Sequence, residues 1–361
     1  MLKYFIIGIA SLIVLIILGI IFLINYMNTD ENTILQFIEA NPNKSAITWY
    51  RNDNLMVDRN SKTLMPLAST VKTIIAIEYA HQAANGIIDP DQLIDTSELE
   101  AYHVKNTDGG AHKSWLSYRK SGVEDNKVSI RHIAKGMITH SSNANTEWMC
   151  TLLGLEKVNA RLDSLGISED HDEIYHLVSS LFIGKELYPD LSGDQLKQKL
   201  YALDYADYIK PTYTIHEKLI SDPKYKYNEG DNSLSLQKVW SDRLARSTTY
   251  AYASVMKKLN SKSDFDAEVY KYLDEVMEVV MENPRNASWL KHSGSKGGST
   301  ASILAEALYA TDKKGNTTEL AYFFNDLSLL ENRRMAKGMN SFNLRLLNNE
   351  EFRTKVIETL K

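Results

Sequence analysis

The stretch Ser69-Thr70-Val71-Lys72-Thr73-Ile74-Ile75-Ala76-Ile77-Glu78-Tyr79 carries the strongest structural signal in the chain. It follows Pro66 closely, and its apolar run predicts a helix with Ser69 near the first turn. Positions i and i+3 share one helix face, so the Ser69 hydroxyl and the Lys72 amine are expected to be neighbours. A desolvated lysine near another cation can activate a serine hydroxyl as a nucleophile. Taken alone, the pair also fits an ordinary helix N-cap followed by a surface lysine.

Predicted strands lie on both sides of this helix. Residues 46–50 and 55–57 flank a turn at 52–54 and predict a hairpin, and residues 287–294, 302–309 and 319–325 predict three further strands. The chain between them is mostly helical in pattern, with strong stretches at 129–153 and 240–259, and residues 350–360 predict a last helix. The economical fold is α+β, with one antiparallel sheet from both chain ends and a helical domain inserted between them.

A second polar motif, Ser141-Ser142-Asn143, follows the apolar stretch 133–138. Ser141 is suited to pass a proton to a leaving group, and Asn143 is suited to hold a substrate amide. A helix start capped by serine is the plain alternative for this motif.

A third motif, His292-Ser293-Gly294, closes a predicted strand and continues as Ser295-Lys296-Gly297-Gly298. Small residues let another backbone approach closely. The backbone N–H of Ser295 could then pair with that of Ser69 to bind an oxyanion. A glycine-rich hairpin turn would also explain this composition.

The ordered set of three motifs resembles the boxes S-x-x-K, S-x-N and K-T-G of the penicillin-recognising serine hydrolases, which include class A β-lactamases and low-molecular-weight penicillin-binding proteins. The resemblance covers about residues 45 to 326 and includes Ser247-Thr248-Thr249 at a helix start and Trp289 before the third box. It implies a β-lactamase/transpeptidase-like fold with the site between sheet and helices, walled by the polar, aromatic loop 102–115. The site residues that it implies are Ser69 as acylated nucleophile, Lys72 as its activating partner, Ser141 as proton relay, and Asn143, His292, Ser293, Gly294 and Ser295 in substrate binding.

Two departures from the family pattern affect the expected activity. His292 stands where the family usually has lysine, and the charge of a histidine depends on pH. Lys291 and Lys296 are nearby cations that could compensate for the missing lysine. The deacylation signature E-x-x-L-N of class A β-lactamases is also missing, with only Glu173 or His176 as substitutes, and a long helical insertion covers about 180–245. These departures favour acyl transfer from D-alanyl peptides of the cell envelope. The alternatives are a class A-like β-lactamase, a D-alanyl esterase and a non-catalytic envelope-binding module.

The start of the chain predicts a membrane anchor. Tyr4–Met27 is apolar and uncharged, Lys3 precedes it, and Asp30 and Glu31 follow. At 1.5 Å per residue this stretch crosses a bilayer, and the positive charge indicates a cytoplasmic N-terminus. The expected organisation is a cytoplasmic tip 1–3, an anchor 4–27, a juxtamembrane segment and first helix 28–44, and an extracytoplasmic hydrolase domain 45–361. A cleaved signal peptide is the alternative.

Composition narrows the expected partners. The net charge is −5, so no basic surplus points to nucleic acid, and the single cysteine, Cys150, excludes an intrachain disulfide. No cofactor is expected. The loop residues His171, Asp172 and His176 could suggest a metal site, but solvation is the commoner role of such a cluster and no metal is expected.

Overall fold

A five-stranded antiparallel sheet organises the protein in a computed structural model that describes residues 2–105, 107–119, 126–222, 224–227 and 233–361. In chain order, the strands are β1 (Ser45–Arg51), β2 (Asn54–Arg59), β3 (Met65–Pro66), β4 (Leu93–Asp95), β5 (Lys127–Ser129), β6 (Arg246–Ser247), β7 (Leu290–Ser299), β8 (Leu304–Asp312) and β9 (Thr317–Phe324). The large sheet has the order β2-β1-β9-β8-β7, and β3/β6 and β4/β5 form two small pairs. The expected sheet from both chain ends is therefore confirmed, and β7 is an edge strand.

Helices fill the chain between the strands and cover both faces of the sheet. They are α1 (Leu2–Met27), α2 (Asn32–Ala40), α3 (Lys72–Ala84), α4 (Ser97–Glu100), α5 (Ala111–Arg119), α6 (Ile130–Thr139), α7 (Asn143–Leu153), α8 (Leu155–Leu165), α9 (Ile183–Leu187), α10 (Gly193–Ala202), α11 (Tyr205–Ile209), α12 (Pro211–Ser221), α13 (Leu234–Asp242), α14 (Thr249–Ser261), α15 (Ala267–Met277), α16 (Pro284–Ala287), α17 (Leu329–Asn348) and α18 (Glu350–Leu360). Short 3-10 turns lie at Pro42–Lys44, Ala68–Val71, Ser168–Asp170, Ser179–Phe182, Tyr225–Tyr227 and Val279–Glu282.

The two faces of the sheet belong to two separate cores, because successive side chains of a strand point to opposite faces. Ala321 and Phe323 of β9 pack with α3, α6, α7, α14 and α15. Tyr322 and Phe324 point the other way and pack with α2, α17 and α18. The first face carries the candidate site, and the second fixes the sheet from behind.

The insertion forms a third core of its own. Buried side chains of α9 to α13, among them Ile183, Ile215 and Val239, pack together. The predicted helical stretch 240–259 is interrupted: α13 ends at Asp242, and Arg246 pairs with Pro66 in the β3/β6 ladder before α14 begins. This pairing joins the end of the insertion to the segment just before Ser69.

The third predicted strand lies further along the chain than expected. It was predicted at 287–294, whereas β7 covers Leu290–Ser299 and includes both Gly297 and Gly298. Glycines in a strand favour close approach of another backbone, and this is the case for Gly298. The glycine run therefore lies within the edge strand and not in a turn.

Helix α1 joins the rest of the protein near its C-terminal end. Lys337 donates a hydrogen bond to the Met27 carbonyl at 3.1 Å, and the Arg334 guanidinium lies 4.9 Å from the Tyr26 ring centroid. Within the described residues, no single helix meets the length and hydropathy expected of a membrane span, but Val14–Met27 and Asn32–Ala40, bent by 102°, meet them as a pair. Met1, part of the expected tip 1–3, lies outside the described residues.

Candidate active site

Ser69 lies in the 3-10 turn Ala68–Val71 that leads into α3. The preceding residue, Ala68, has a φ of +45°, which is uncommon for a residue with a Cβ. Ser69 is half-buried and lines a cavity of about 840 Å³ between the sheet and the helices. This turn therefore presents the serine hydroxyl to an open space at a helix N-terminus.

Lys72 is fully buried one turn further along. Its Nζ donates three hydrogen bonds: to the Ser141 carbonyl at 2.6 Å, to Ser141 Oγ at 3.3 Å and to Asn143 Oδ1 at 2.9 Å. Burial lowers the pKa of the Lys72 amine well below its ordinary value, and the nearby Lys296 lowers it further. A lysine with a lowered pKa is suited to take a proton from a neighbouring hydroxyl.

The break between α6 and α7 brings Ser141 and Asn143 to Lys72. Ser141 has a φ of +62°, and Ser142 caps α7 by accepting a hydrogen bond from the Asn145 N–H. A non-glycine residue in this conformation costs about 1–3 kcal/mol, which the surrounding contacts must offset. The Ser141 carbonyl consequently points at the Lys72 ammonium, so the structure brings Ser69, Lys72, Ser141 and Asn143 together.

Lys296 of β7 supplies a second buried cation at the same place. Its Nζ donates to Ser141 Oγ at 3.1 Å and to the Gly297 carbonyl at 2.6 Å. Two residues on, a Cβ added to Gly298 would lie 2.3 Å from the Leu67 carbonyl oxygen and 2.7 Å from the Ser69 nitrogen. Only glycine fits at 298, so the edge strand contacts the turn that holds Ser69.

The expected third box lies elsewhere on β7. Within the described chain, His292, Ser293, Gly294 and Ser295 are not among the residues that line the cavity with Ser69, whereas Gly297, Gly298 and Ser299 are. Ser293 Oγ donates to the Tyr309 carbonyl. Lys296 does not line the cavity itself, but its Nζ donates to Ser141, which does. The location expected from the sequence is therefore corrected by four residues, from His292-Ser293-Gly294 to Lys296-Gly297-Gly298.

His292 also has the wrong electrostatics for a binding cation. It is half-buried, and burial together with Lys262 and Lys291 lowers its pKa to about 4. An imidazole with that pKa is neutral near pH 7. The sequence also contains a match for the third box at Lys296-Gly297-Gly298, since lysine followed by glycine two residues later matches the first and last positions of K-T-G.

Two ionisable groups on β7 and β8 titrate near neutral pH. Burial lowers the pKa of Lys296 to about 8, an effect that Glu306 partly opposes. Burial raises the pKa of Glu306 to about 7, partly opposed by Lys296. Glu306 lines the cavity and lies behind Gly297, where an added Cβ would be 2.8 Å from its Oε2. The sequence patterns did not indicate Glu306, because only the pairing of β7 with β8 brings it here.

The segment after α8 presents apolar side chains to the cavity. Leu177 and Leu181 line it, and Asp108 and Glu306 are the carboxylates among the described lining residues. Glu173 is exposed, and its Oε1 accepts a hydrogen bond from the Tyr213 hydroxyl. Neither expected substitute for the deacylation base, Glu173 or His176, lies in the cavity.

The remaining walls come from two polar segments. The loop between the first two boxes contributes Asp108 and Gly109, whereas Tyr102 and Trp115 are buried in the core. The insertion contributes Trp240, whose indole N–H donates to Ser180 Oγ, and so covers one side of the cavity. The loop residues His171, Asp172 and His176 have separate partners: within the described part of the chain, His171 contacts the Asp172 carbonyl and Tyr252, Asp172 pairs with Arg246, and His176 lies at Glu147.

Solved structures share this architecture. The chain is similar to a β-lactamase from Chitinophaga pinensis, with a TM-score of 0.52, 14% identity, and coverage of 86% of this chain and 97% of that one. A β-lactamase from Sphaerobacter thermophilus gives a TM-score of 0.53, 15% identity, and coverage of 88% and 97%. A point mutant of PBP-A, in an acyl-enzyme complex with penicillin-G, gives a TM-score of 0.50, 14% identity, and coverage of 87% of this chain and 96% of that one. At these identities the likeness shows the fold.

Sequence comparison identifies the family. No curated protein matches the chain. Residues 31–280, more than half of the 361 residues, match the sequence model of the β-lactamase enzyme family (Beta-lactamase2). The match includes the segments of Ser69, Lys72 and Ser141 and ends before β7. The chain is therefore a serine hydrolase that belongs to the β-lactamase enzyme family, within the penicillin-recognising serine hydrolases.

Proposed function

We propose that this protein is an acyl-transferring serine hydrolase of the D,D-peptidase type, which acts on D-alanyl peptides and is trapped by β-lactams as a slowly hydrolysed acyl-enzyme. The observation that carries the proposal is that Leu177 and Leu181 line the cavity in the segment after the second box, the part of the chain in which class A β-lactamases carry their deacylating glutamate. Without a base there, water is poorly activated for attack on the acyl-enzyme.

Acylation uses the residues around Ser69. Neutral Lys72 takes the Ser69 proton as the oxygen attacks the D-alanyl carbonyl. The tetrahedral intermediate then expels the leaving amine, which receives a proton through Ser141, since Ser141 Oγ is hydrogen-bonded to both Lys72 and Lys296. An ester on Ser69 and a free D-alanine result. Asn143 orients the acyl side chain.

The oxyanion donors that we propose are the N–H groups of Ser69 and Ser299. In an antiparallel pair, hydrogen-bonded and non-hydrogen-bonded residues alternate. Because Thr300 donates to the Ile303 carbonyl at 3.1 Å, this alternation turns the Ser299 N–H toward the open edge of β7. Ser299 also follows Gly298, which touches Ser69. Ser295 is further away, four residues back along the strand.

Protonated Lys296 is the proposed partner of the substrate carboxylate. It is a buried cation beside Ser141, and the exposed Ser299 and the half-buried Thr300 line the cavity next to it. Residue 297 is a glycine, and the space that a Cβ would take there leaves room for the Glu306 carboxylate behind the strand. His292 and Ser293 have no part in this version of the site.

Intact mass spectrometry of the full chain in detergent, after incubation with benzylpenicillin, tests the proposal. A single adduct that maps to Ser69 and persists for many minutes is expected, with no adduct in Ser69→Ala. Release of D-alanine from a peptide ending in D-Ala-D-Ala should accompany it. Rapid conversion of the drug without an adduct would identify a β-lactamase. Intact drug and intact peptide would refute acyl transfer altogether.

We further propose that the N-terminal segment anchors the protein with its catalytic domain outside the cytoplasmic membrane. The uncharged stretch Tyr4–Met27 and the preceding Lys3 support this topology. The full chain should remain in the membrane fraction after carbonate washing, and protease added outside the cell should cut the catalytic domain. Release by carbonate would contradict an anchor.

A further inference from the structure

A second group of chemically active side chains lies beside Ser142. Glu100 ends α4, His103 follows it in the next turn, and His112 lies in the first turn of α5. One ligand atom from each of the three lies within 4.8 Å of the others. Their side chains range from fully buried to half exposed: 0% for His112, 22% for His103 and 47% for Glu100.

The hydrogen bonds around Ser142 fix the state of the buried His112 ring. Ser142 Oγ donates to Asn145 Oδ1 at 2.9 Å, and a hydroxyl has only one proton. The contact between His112 Nδ1 and Ser142 Oγ, at 2.9 Å, must therefore be donated by the imidazole. In the neutral ring the other nitrogen, Nε2, then carries a lone pair, and it is buried without a hydrogen-bond partner.

That lone pair faces the carboxylate at a distance that suits a shared metal ion. His112 Nε2 lies 3.6 Å from Glu100 Oε1, and His103 Nδ1 lies 3.5 Å from Glu100 Oε2. A charged imidazolium–carboxylate hydrogen bond would be about 2.7–2.9 Å long. Ligands about 2.0–2.1 Å from a tetrahedral Zn²⁺ are separated by about 3.4 Å. The Lys226 ammonium is 4.0 Å from Glu100 Oε2, also too far for a hydrogen bond.

A second Glu/His/His cluster in the described chain provides an internal contrast. His176 and His216 stack with ring centroids 3.6 Å apart, and both Nδ1 atoms lie 3.1 Å from the same oxygen, Glu147 Oε1. Glu147 also accepts hydrogen bonds from the Val178 N–H and the Ser179 hydroxyl. Stacked rings cannot aim both lone pairs at one ion, and hydrogen bonds from His216, Val178 and Ser179 already occupy the Glu147 carboxylate, although His176 Nδ1 has no hydrogen-bond partner there.

We propose that Glu100, His103 and His112 form a Zn²⁺ site with three protein ligands and a fourth position open to solvent. Two imidazoles and a carboxylate are a ligand set that zinc prefers, and the hydrogen bond from His112 Nδ1 to Ser142 orients the ring as outer-shell partners of metal ligands do. The half-exposed Glu100 gives the ion a route in. The bound ion fixes the donor tautomer of His112 and thus the position of Ser142, next to the strained Ser141.

Zinc titration of the untagged, metal-stripped full chain in detergent, in competition with a chromophoric chelator, tests the site. One Zn²⁺ per chain is expected. His103→Ala and Glu100→Gln, both at partly exposed positions, should weaken binding by at least about tenfold. His132→Ala, an exposed histidine outside the cluster, is the matched control and should bind as the unaltered chain does.

Cobalt substitution gives a second readout that is independent of activity. Co²⁺ bound at this site should show the intense visible absorption of a tetrahedral ion, and His103→Ala should abolish it. Absence of stoichiometric Zn²⁺ binding would overturn the proposal. So would binding that survives in His103→Ala and Glu100→Gln, or binding that is lost only in His216→Ala.

Discussion

The Lys296 ammonium lies 3.1 Å from Ser141 Oγ, which in turn lies 3.3 Å from the Lys72 ammonium. One hydroxyl thus bridges two buried lysines, from the edge strand and from α3. Besides burial, the nearby Lys296 lowers the pKa of Lys72, because a like charge close by in a desolvated site disfavours the charged form of the amine. This bridge assigns the third box to Lys296-Gly297-Gly298 and joins the sheet to the helical region across the site.

Lys296→Ala should abolish most of the acylation activity, whereas His292→Ala should not. Removal of the cation takes away the proposed carboxylate partner and a hydrogen bond to Ser141, so a loss of about 10²–10³ in kcat/KM for a D-alanyl peptide is expected. His292 lies outside the cavity, and its substitution should change kcat/KM by less than about threefold.

Steady-state kinetics of D-alanine release measures both effects. Circular dichroism and thermal melting of the two variants serve as folding controls. A larger loss in His292→Ala than in Lys296→Ala would restore the assignment expected from the sequence.

Substitutions at Ser299 separate the backbone from the side chain in the proposed oxyanion site. Ser299→Ala keeps the N–H and should leave the acylation rate by benzylpenicillin nearly unchanged. Ser299→Pro removes the N–H and should slow acylation by about 10²–10³. Proline is tolerable at an edge position whose N–H does not take part in the ladder.

Stopped-flow acylation with a chromogenic β-lactam measures these rates. Equal rates in the alanine and proline variants would exclude the Ser299 N–H as a donor. Slowing by Ser295→Pro alone would return that role to Ser295.

The sequence predicted local parts of the site better than distant ones. Ser69 and Lys72 are neighbours through helical spacing alone, and Ser141 and Asn143 follow a helix break visible in the composition. The position of β7 against the Ser69 turn is a long-range contact between residues more than 200 positions apart. It depends on the absence of a Cβ at Gly298, which lets the strand approach the backbone at Ser69, and a short sequence motif does not show which glycine makes such a contact.

Burial was equally hard to foresee. Nothing in its sequence neighbourhood distinguishes Glu306 from an exposed strand residue, yet strand pairing buries it behind Gly297. His112 was expected in a polar loop, whereas it is fully buried against Ser142. The two-sided sheet and inserted helices were predictable because apolar periodicity reports directly on burial of regular elements.

Acylation should decline as the pH rises through about 8. The pKa of Lys296 is lowered to about 8, so the amine loses its charge there and the substrate carboxylate loses its partner. Lys296→Arg keeps the charge and should move the alkaline limb upward. Glu306→Gln removes a negative charge that raises the Lys296 pKa, so the limb should move to lower pH.

The pH dependence of kcat/KM between pH 6 and 10 checks this, since it reports groups of the free enzyme. Ser299→Ala provides a control with both charged groups intact. An alkaline limb that is unmoved in both Lys296→Arg and Glu306→Gln would show that another group titrates there.

Glu147 should be a main contributor to the stability of the join between α7 and the insertion. It is fully buried and holds His176, His216, the Val178 N–H and the Ser179 hydroxyl. Glu147→Ala leaves the donors of His216, Val178 and Ser179 unpaired, and a decrease of about 3–5 kcal/mol in the free energy of unfolding is expected. Glu156→Ala, at an exposed position on α8, is the control and should change it by less than about 0.5 kcal/mol.

The same network gives the stability a defined pH dependence. Burial acts to raise the pKa of Glu147, but the interactions with His176 and His216 together outweigh it, and the net pKa is lowered. A lowered carboxyl pKa stabilises the fold above the unfolded value of about 4.5, and this contribution is lost as the pH falls toward the folded value. Urea unfolding between pH 3 and 7 should therefore show a smaller acid-dependent loss in Glu147→Ala than in Glu156→Ala. Equal losses in the two variants would mean that other carboxylates govern acid unfolding. Limited proteolysis gives a second check: an insertion that is as resistant in Glu147→Ala as in the unaltered chain would show that other contacts hold it in place.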